Sequence, residues 1–469
     1  MLGVPTLLRG QNLNSRLNIA AIGAGGKGAS DTNCCSKENI VALCDVDTAN
    51  CARQIKKYPN AKFYRDFRKM FDEMGKGIDA VTVSTPDHFH AIAESAAMRL
   101  GKHVYGQKPL AQTIYEARYL RDLARQTGVV TQMGNQGSAA DGLRRAVECL
   151  HAGIIGQVRE VYVWTNRPIW PQGIDRPDGS DPVPDTLDWD TWIGPAPMRP
   201  YKRGFYDPFN WRGWQDFGTG ALGDMACHTV NMPFRGLSLG YPTTIEATTI
   251  NGMNRETYPI GSKIRFEFPA RKISVPAAHP GLFHRHDTVA FEPVTFWWLD
   301  GGQPIPGQPG RHDGSNKPPQ ELTADIKEML GEVPGSGCLL IGDKGKIFSP
   351  DDYGEQFFIK MNDEKKYTHF KKSAPLAAIP ESLPRNQFKG DNDLRQHLEW
   401  IAAIKAGKPE MCYSRFDVAA KLTEIMLLGC VALRARKKIE WDGPNMLATN
   451  APEAAPFVKR ENRAGWTLA

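Results

Sequence analysis

The chain has 469 residues, 41% hydrophobic and 23% charged, a balance that excludes a disordered, collagen-like or membrane-embedded body. Lys+Arg 58 against Asp+Glu 52 leaves a net charge of +6 with no dense basic run to track a phosphate backbone, so no nucleic acid partner is expected. The longest apolar run late in the chain, Ile425–Leu433, has nine residues where a membrane span needs ~20; the nine cysteines lack C-x-x-C spacing, so no membrane span, zinc cluster or full disulfide framework is expected.

In chain order, Leu17 to Gly23 (LNIAAIG) is a short apolar run ending in glycine, the pattern of a buried parallel strand entering a tight turn. Ile40–Asp45, Asp79–Ser84, His103–Tyr105 and Val129–Met133 repeat that character, separated by helical stretches such as His90–Leu100 and Ile114–Gln126. Such alternation predicts a doubly wound parallel sheet, placed at residues 17–135 after an N-terminal extension, 1–16. Past Gly153 the texture changes. Val158–Trp164 reads as a strand, Arg167–Trp214 as a loop rich in Pro, Trp and Asp, and strand patterns return at Thr244–Ile250, Lys263–Phe268, Cys338–Ile341 and Phe357–Lys360. Residues 136–469 are therefore expected to form a second, α+β domain on a mainly antiparallel sheet. Pro276–Pro319, rich in Pro, Gly and His, reads as a surface insertion or an arm toward a neighbouring subunit. Helical periodicity at Leu394–Ala406 and Phe416–Arg436 supplies helices that close the fold.

Gly23-Ala24-Gly25-Gly26-Lys27-Gly28 fits G-x-G-x-x-G between a predicted strand and a predicted helix. In that context Gly23 permits the turn, Gly25 lets backbone approach a pyrophosphate, and Gly28 allows close helix–strand packing, while the helix N-terminus offers N–H donors. The next strand ends at Asp45, 17 residues past Gly28, near where an acid meets the adenosine ribose. A carboxylate accepts from both ribose hydroxyls and repels a 2'-phosphate, so the expected cofactor is NAD rather than NADP. Asp47 reads instead as the cap of the helix that starts near Thr48.

Further along come Ser84-Thr85-Pro86-Asp87-His88-Phe89-His90, Gly106-Gln107-Lys108-Pro109, Gly220 to His228 (GALGDMACH), Trp441-Asp442 and Gly465-Trp466. With this set the chain resembles the Gfo/Idh/MocA family from about Leu17 to near its C-terminus. The resemblance implies an N-terminal Rossmann domain, a C-terminal open sheet that carries the substrate, and homo-dimers or homo-tetramers formed through that sheet's exposed face. It also implies that Lys108, matching the lysine of the family's Glu-Lys-Pro motif, sits beside the nicotinamide and substrate; Gln107 replaces the usual glutamate.

Asp224 and His228 match an Asp-x-x-x-His pair that acts at the substrate, and a spacing of four puts both on one helix face. His228 would take the hydroxyl proton as hydride leaves the adjoining carbon, with Asp224 holding the substrate or orienting the ring. Thr85, Pro86, His88 and His90 follow a strand end that faces the cofactor and are candidate contacts to it, one histidine alternatively capping the next helix. Six of the eleven tryptophans fall between residues 164 and 214, either to stack on sugar rings or to pack the loop. Trp211 and Arg212 are the candidate substrate contacts of this stretch.

The expected function is an NAD-dependent oxidoreductase that moves a hydride between a hydroxyl of a sugar, glycoside or cyclitol and the cofactor, with no metal. One branch that the resemblance brings in holds NAD tightly and cleaves glycosides by oxidation, elimination and re-reduction; fold does not separate the two. A non-catalytic sensor is the third reading. Val4 to Gln11 resembles the stretch after a twin-arginine export signal, without the arginine pair, leaving periplasm and cytoplasm both open.

Overall fold

The computed structural model of the chain describes residues 16–276 and 286–468. Strands β1 (Asn18–Ile22), β2 (Asn39–Cys44), β3 (Lys62–Tyr64), β4 (Ala80–Val83), β5 (His103–Gly106) and β6 (Thr131–Met133) form one parallel sheet in the order β3-β2-β1-β4-β5-β6. Every residue of β4 is buried, as expected of a strand covered on both faces. Alternate residues divide between two layers: Val81, Val83 and Val104 point toward the core that contains Leu120 and Ala117 of the helix Ile114–Thr127. Ile19, Ala80 and Tyr105 point the other way, onto Trp400, Ile401 and Ile404 of the helix Asn392–Ala406, a layer supplied from far along the chain. The strand order reverses between β1 and β4, which opens a crevice beyond Ile22, Cys44 and Val83.

The second sheet comprises β7 (Val158–Thr165), β8 (Thr244–Ile250), β9 (Gly261–Phe268), β12 (Val294–Gly301), β13 (Gly337–Gly342), β14 (Gly345–Ser349), β15 (Phe358–Met361), β16 (Thr368–His369), β17 (Ile439–Asp442) and β18 (Leu447–Ala448). Two further strands, β10 (Arg271–Pro276) and β11 (His286–Phe291), form a separate antiparallel hairpin. The ten-stranded order is β16-β15-β14-β13-β7-β12-β9-β8-β17-β18, antiparallel except where β7 meets β12. Phe266, Phe296 and Trp298 face the main core shared with the helix Phe416–Ala435. Trp164, Leu299, Leu339 and Phe348 face the other side, where Ile326 of the helix Gln320–Leu330 packs on them. Part of the sheet face implied to be open is thus covered by the chain's own helix.

The expectation of a surface insertion at Pro276–Pro319 is overturned over part of its length. Residues 277–285 lie outside the described residues, but β12 is an inner strand between β7 and β9, with Phe296 and Trp298 buried. Its alternating V-T-F-W-W-L-D pattern is flanked by Pro- and Gly-rich stretches that mask it. The helix Phe416–Ala435 is buried along most of its length and lies against the Ile114–Thr127 helix, the helix Gly220–Thr229 and β8. Gly429 lets it approach: a Cβ there would stand 2.5 Å from Leu222 Cδ2.

Candidate active site

The crevice beyond β1 and β4 widens into a cavity of about 400 Å³ bounded by both domains. Its floor is the first turn. Gly23 has φ +75°, and a Cβ on it would lie 2.8 Å from the Ser84 carbonyl; one on Gly28 would lie 1.7 Å from the Gly23 oxygen. Gly26, at φ +49°, has nothing within 4 Å of a Cβ and begins the helix Gly26–Cys34. An open, N–H-bearing helix start with no side chain in the way fits a dinucleotide pyrophosphate. Asp45, 8% exposed, accepts from the Gly25 N–H at 2.7 Å and the Asp47 N–H at 3.0 Å. Burial pushes its carboxyl up to about 6 against those two donors. Asp47 caps the helix Thr48–Lys57, accepting from the Ala49 N–H at 2.9 Å.

The rim past Asp45 is roofed by the loop ahead of the helix Trp189–Ile193. The Thr48 N–H donates to the Thr186 carbonyl at 3.0 Å, the Asp188 N–H to the Val46 carbonyl at 2.9 Å, and Arg65 Nη2 to the carbonyls of Asp185 and Thr186 at 3.1 and 3.0 Å. Leu187, Thr191 and Trp192 thereby enter the cavity wall. No motif in the sequence signals this strap, because main-chain atoms make most of its bonds.

At the other end, Lys108 Nζ donates to the Asp224 main-chain carbonyl at 2.8 Å and to Asp224 Oδ1 at 2.9 Å, and Arg212 Nε donates to the same Oδ1 at 3.2 Å. Despite burial, Lys108 and Arg212 hold the Asp224 carboxyl down at about 2. His228, one turn on, is buried and its Nδ1 has no partner. Burial, then the Lys108 charge, keep its imidazole well below the usual histidine range, hence neutral. Arg212 lies over Trp211 at 4.3 Å and Phe209 at 4.6 Å.

The cavity surface therefore includes Gly23, Gly25, Asp45, Thr85, Pro86 and Lys108 from the first domain and Trp211, Arg212, Asp224 and His228 from the second. Gly28 lies behind it, packed on Gly23. His88 and His90, candidate contacts to the cofactor, are also behind the wall. The ring nitrogens of His88 lie 3.2 and 3.1 Å from the carbonyls of Phe217 and Trp192, and those of His90 lie 2.8 Å from the carbonyls of Pro109 and Thr85. Burial holds them down at about 3 and about 4; a neutral ring has one N–H, so each donates to one of its two carbonyls. Neither caps the helix, whose N-cap is Pro86. Of the six clustered tryptophans, Trp170, Trp192 and Trp211 reach the cavity; Trp164 stacks on Phe348, and Trp189 and Trp214 pack within the loop's own aromatic core.

Gln107 occupies its position for a visible reason. Its Nε2 donates to Asp31 Oδ2 at 2.9 Å, an oxygen that also accepts from Ser84 Oγ at 2.7 Å. A glutamate at 107 would set one carboxylate against another. Asp31 and Asp393 also hold Lys27, at 2.7 and 2.5 Å, on the cavity edge, and His397 lies beside them. The amine thus already bridges the two carboxylates of this cluster. Gln136, Arg167, Asp352 and Tyr353 complete the wall around His228, and sequence reasoning selected none of them because none lies in a spaced motif.

A profile described as the oxidoreductase family, NAD-binding Rossmann fold, matches residues 17–135, and the family's C-terminal alpha/beta domain matches residues 165–247. Residues 17–135 and 165–247 thus match the two domains of the Gfo/Idh/MocA family. Among curated members the chain is 31% identical to D-glucoside 3-dehydrogenase of Escherichia coli (strain K12) over 33% of this chain and 44% of that one. It is 26% identical to levoglucosan dehydrogenase of Pseudarthrobacter phenanthrenivorans over 36% of this chain and 34% of that one. The matches thus span less than half the length of these relatives. In fold, the chain is similar to the inositol dehydrogenase homolog of Azotobacter vinelandii complexed with NADH and myo-inositol, with TM-score 0.57 and 15% identity over 91% of this chain and 98% of that one.

Proposed function

We propose that the protein is an NAD-dependent oxidoreductase acting on a hydroxyl of a sugar, glycoside or cyclitol. The observation that carries this reading is the meeting of Lys108, Asp224 and His228 in the same cavity as the glycine turn and Asp45. The glucoside and levoglucosan dehydrogenases among the relatives, and the neighbour complexed with myo-inositol, support the substrate class. NAD, when bound, supplies the hydride acceptor. The amides of the first turn would hold its pyrophosphate and Asp45 its adenosine ribose. Lys108, oriented by Asp224, donates a hydrogen bond to the substrate oxygen and stabilises charge that develops there. Neutral His228 has a lone pair with which to accept the hydroxyl proton. Trp170 and Trp211 exclude water from that end.

Replacing Lys108 with Met is expected to leave NAD affinity within about 2-fold while turnover falls by about 10²-fold or more, read by fluorescence titration and by NADH formation. Near-wild-type turnover would refute the assignment. A second reading, glycoside cleavage with retained NAD, is favoured by the strap over the Asp45 rim. A panel of glycosides and cyclitols, with and without added NAD, separates the two: accumulating NADH supports the dehydrogenase, and free aglycone without added NAD supports the glycosidase.

A further inference from the structure

Around His228 the cavity wall carries three cations, Lys108, Arg167 and Arg212, and two carboxylates, Asp224 and Asp352. Asp224 is shared, because Lys108 and Arg212 both donate to its Oδ1. Arg167 projects from the end of β7, its carbonyl accepting from the Gly301 N–H at 2.8 Å. Its guanidinium donates to Asn166 Oδ1 and makes no ion pair with any described residue. Asp352, the remaining carboxylate at this end, is partly buried with Oδ1 unpartnered; burial holds its carboxyl above the ordinary range against a Ser336 hydrogen bond and the charge of Arg167. His228 is neutral and offers no counter-charge. Lys27, on the edge of the same wall, is already matched by Asp31 and Asp393.

Arg167 shares this end with Asp352, so three cations meet two carboxylates; that excess in a partly dry cleft favours an anion, and the planar guanidinium fork suits a planar carboxylate or another oxyanion through two parallel N–H donors. We propose that the substrate is a carbohydrate bearing an oxyanion, a carboxylate as in a uronic acid or a sulfate ester, bound by Arg167 while the hydroxyl that reacts lies at Lys108 and His228. The proposal rests on the oxidoreductase reading only for the identity of that hydroxyl.

The test is calorimetric titration of the protein, with and without NAD, by methyl glucuronide, methyl glucoside and methyl glucoside 6-sulfate. At least one anionic sugar is expected to bind about 10- to 100-fold more tightly than the neutral one, and whichever of the two is tighter identifies the oxyanion. Arg167→Met is expected to bring the anionic sugars down to the affinity of the glucoside, with NAD quenching of tryptophan fluorescence retained as the check on folding; Arg167→Lys is expected to restore part of the preference. A glucoside that binds as well as both anions, or a preference that survives Arg167→Met, overturns the proposal. Failure of the oxidoreductase reading looks different: the anionic sugar binds through Arg167, yet no NADH forms.

Discussion

Asp45 serves two masters at the residue scale: it braces the Gly25 and Asp47 amides, and it retains lone pairs toward the cavity. Asp45→Asn is expected to weaken NAD about 10- to 100-fold and to narrow the preference over NADP, measured by fluorescence titration with both nucleotides. Because burial raises this carboxyl to about 6, wild-type NAD affinity is expected to fall as pH drops from about 7 to 5, while the Asn variant shows a flat profile. His228 carries a second pH statement. Its imidazole is already neutral, so kcat/KM should show no histidine limb between about pH 6 and 8; a step near 6.5 that vanishes in His228→Gln would contradict the geometry. The glycines, Asp45, Lys108, Asp224 and His228 were legible because each sits in a spaced motif. Arg167 and Tyr353 were not, since their placement depends on which loops the second sheet delivers to the cavity.

Among elements, the parallel strands were legible because double coverage leaves uninterrupted apolar runs, as in β4. β3 is three residues at a sheet edge and carries too little pattern to be seen. β12 was hidden by its neighbours in sequence, whose turn residues describe the chain on either side and not the strand between. The helix Phe416–Ala435 offers a direct test of packing. Since a Cβ at Gly429 would meet Leu222 Cδ2 at 2.5 Å and Ile264 Cδ1 at 3.2 Å, Gly429→Val is expected to destabilise by about 1–3 kcal/mol. Thermal unfolding reads that loss. Because Leu222 shares a helix with Asp224, turnover should decline alongside stability, whereas an exposed helix substitution such as Lys421→Ala should alter neither.

For the whole molecule, folding buries two acids that make no ion pair among the described residues. Asp87, which accepts from Thr219 Oγ1 at 2.6 Å across the domain boundary, is pushed up to about 7 by burial, and Asp300 up to about 6. An acid raised in the folded state keeps a proton that the unfolded chain has released. Its contribution to stability is complete below the unfolded value near 3.8 and is lost as pH rises through the folded one. Asp87→Asn, which keeps an acceptor for Thr219, is therefore expected to gain in Tm relative to wild type on going from about pH 5 to 8. A difference that stays constant with pH would show that Asp87 is ionised throughout.

The strap at residues 185–188 is fastened through its own main-chain atoms, and such bonds are indifferent to the side chains the strap carries. Divergent descendants could exchange the aromatic and basic groups farther along that loop, retuning which sugar is accepted, without unfastening the nucleotide end. Selectivity and cofactor retention would then evolve as separable traits on one continuous stretch of polypeptide.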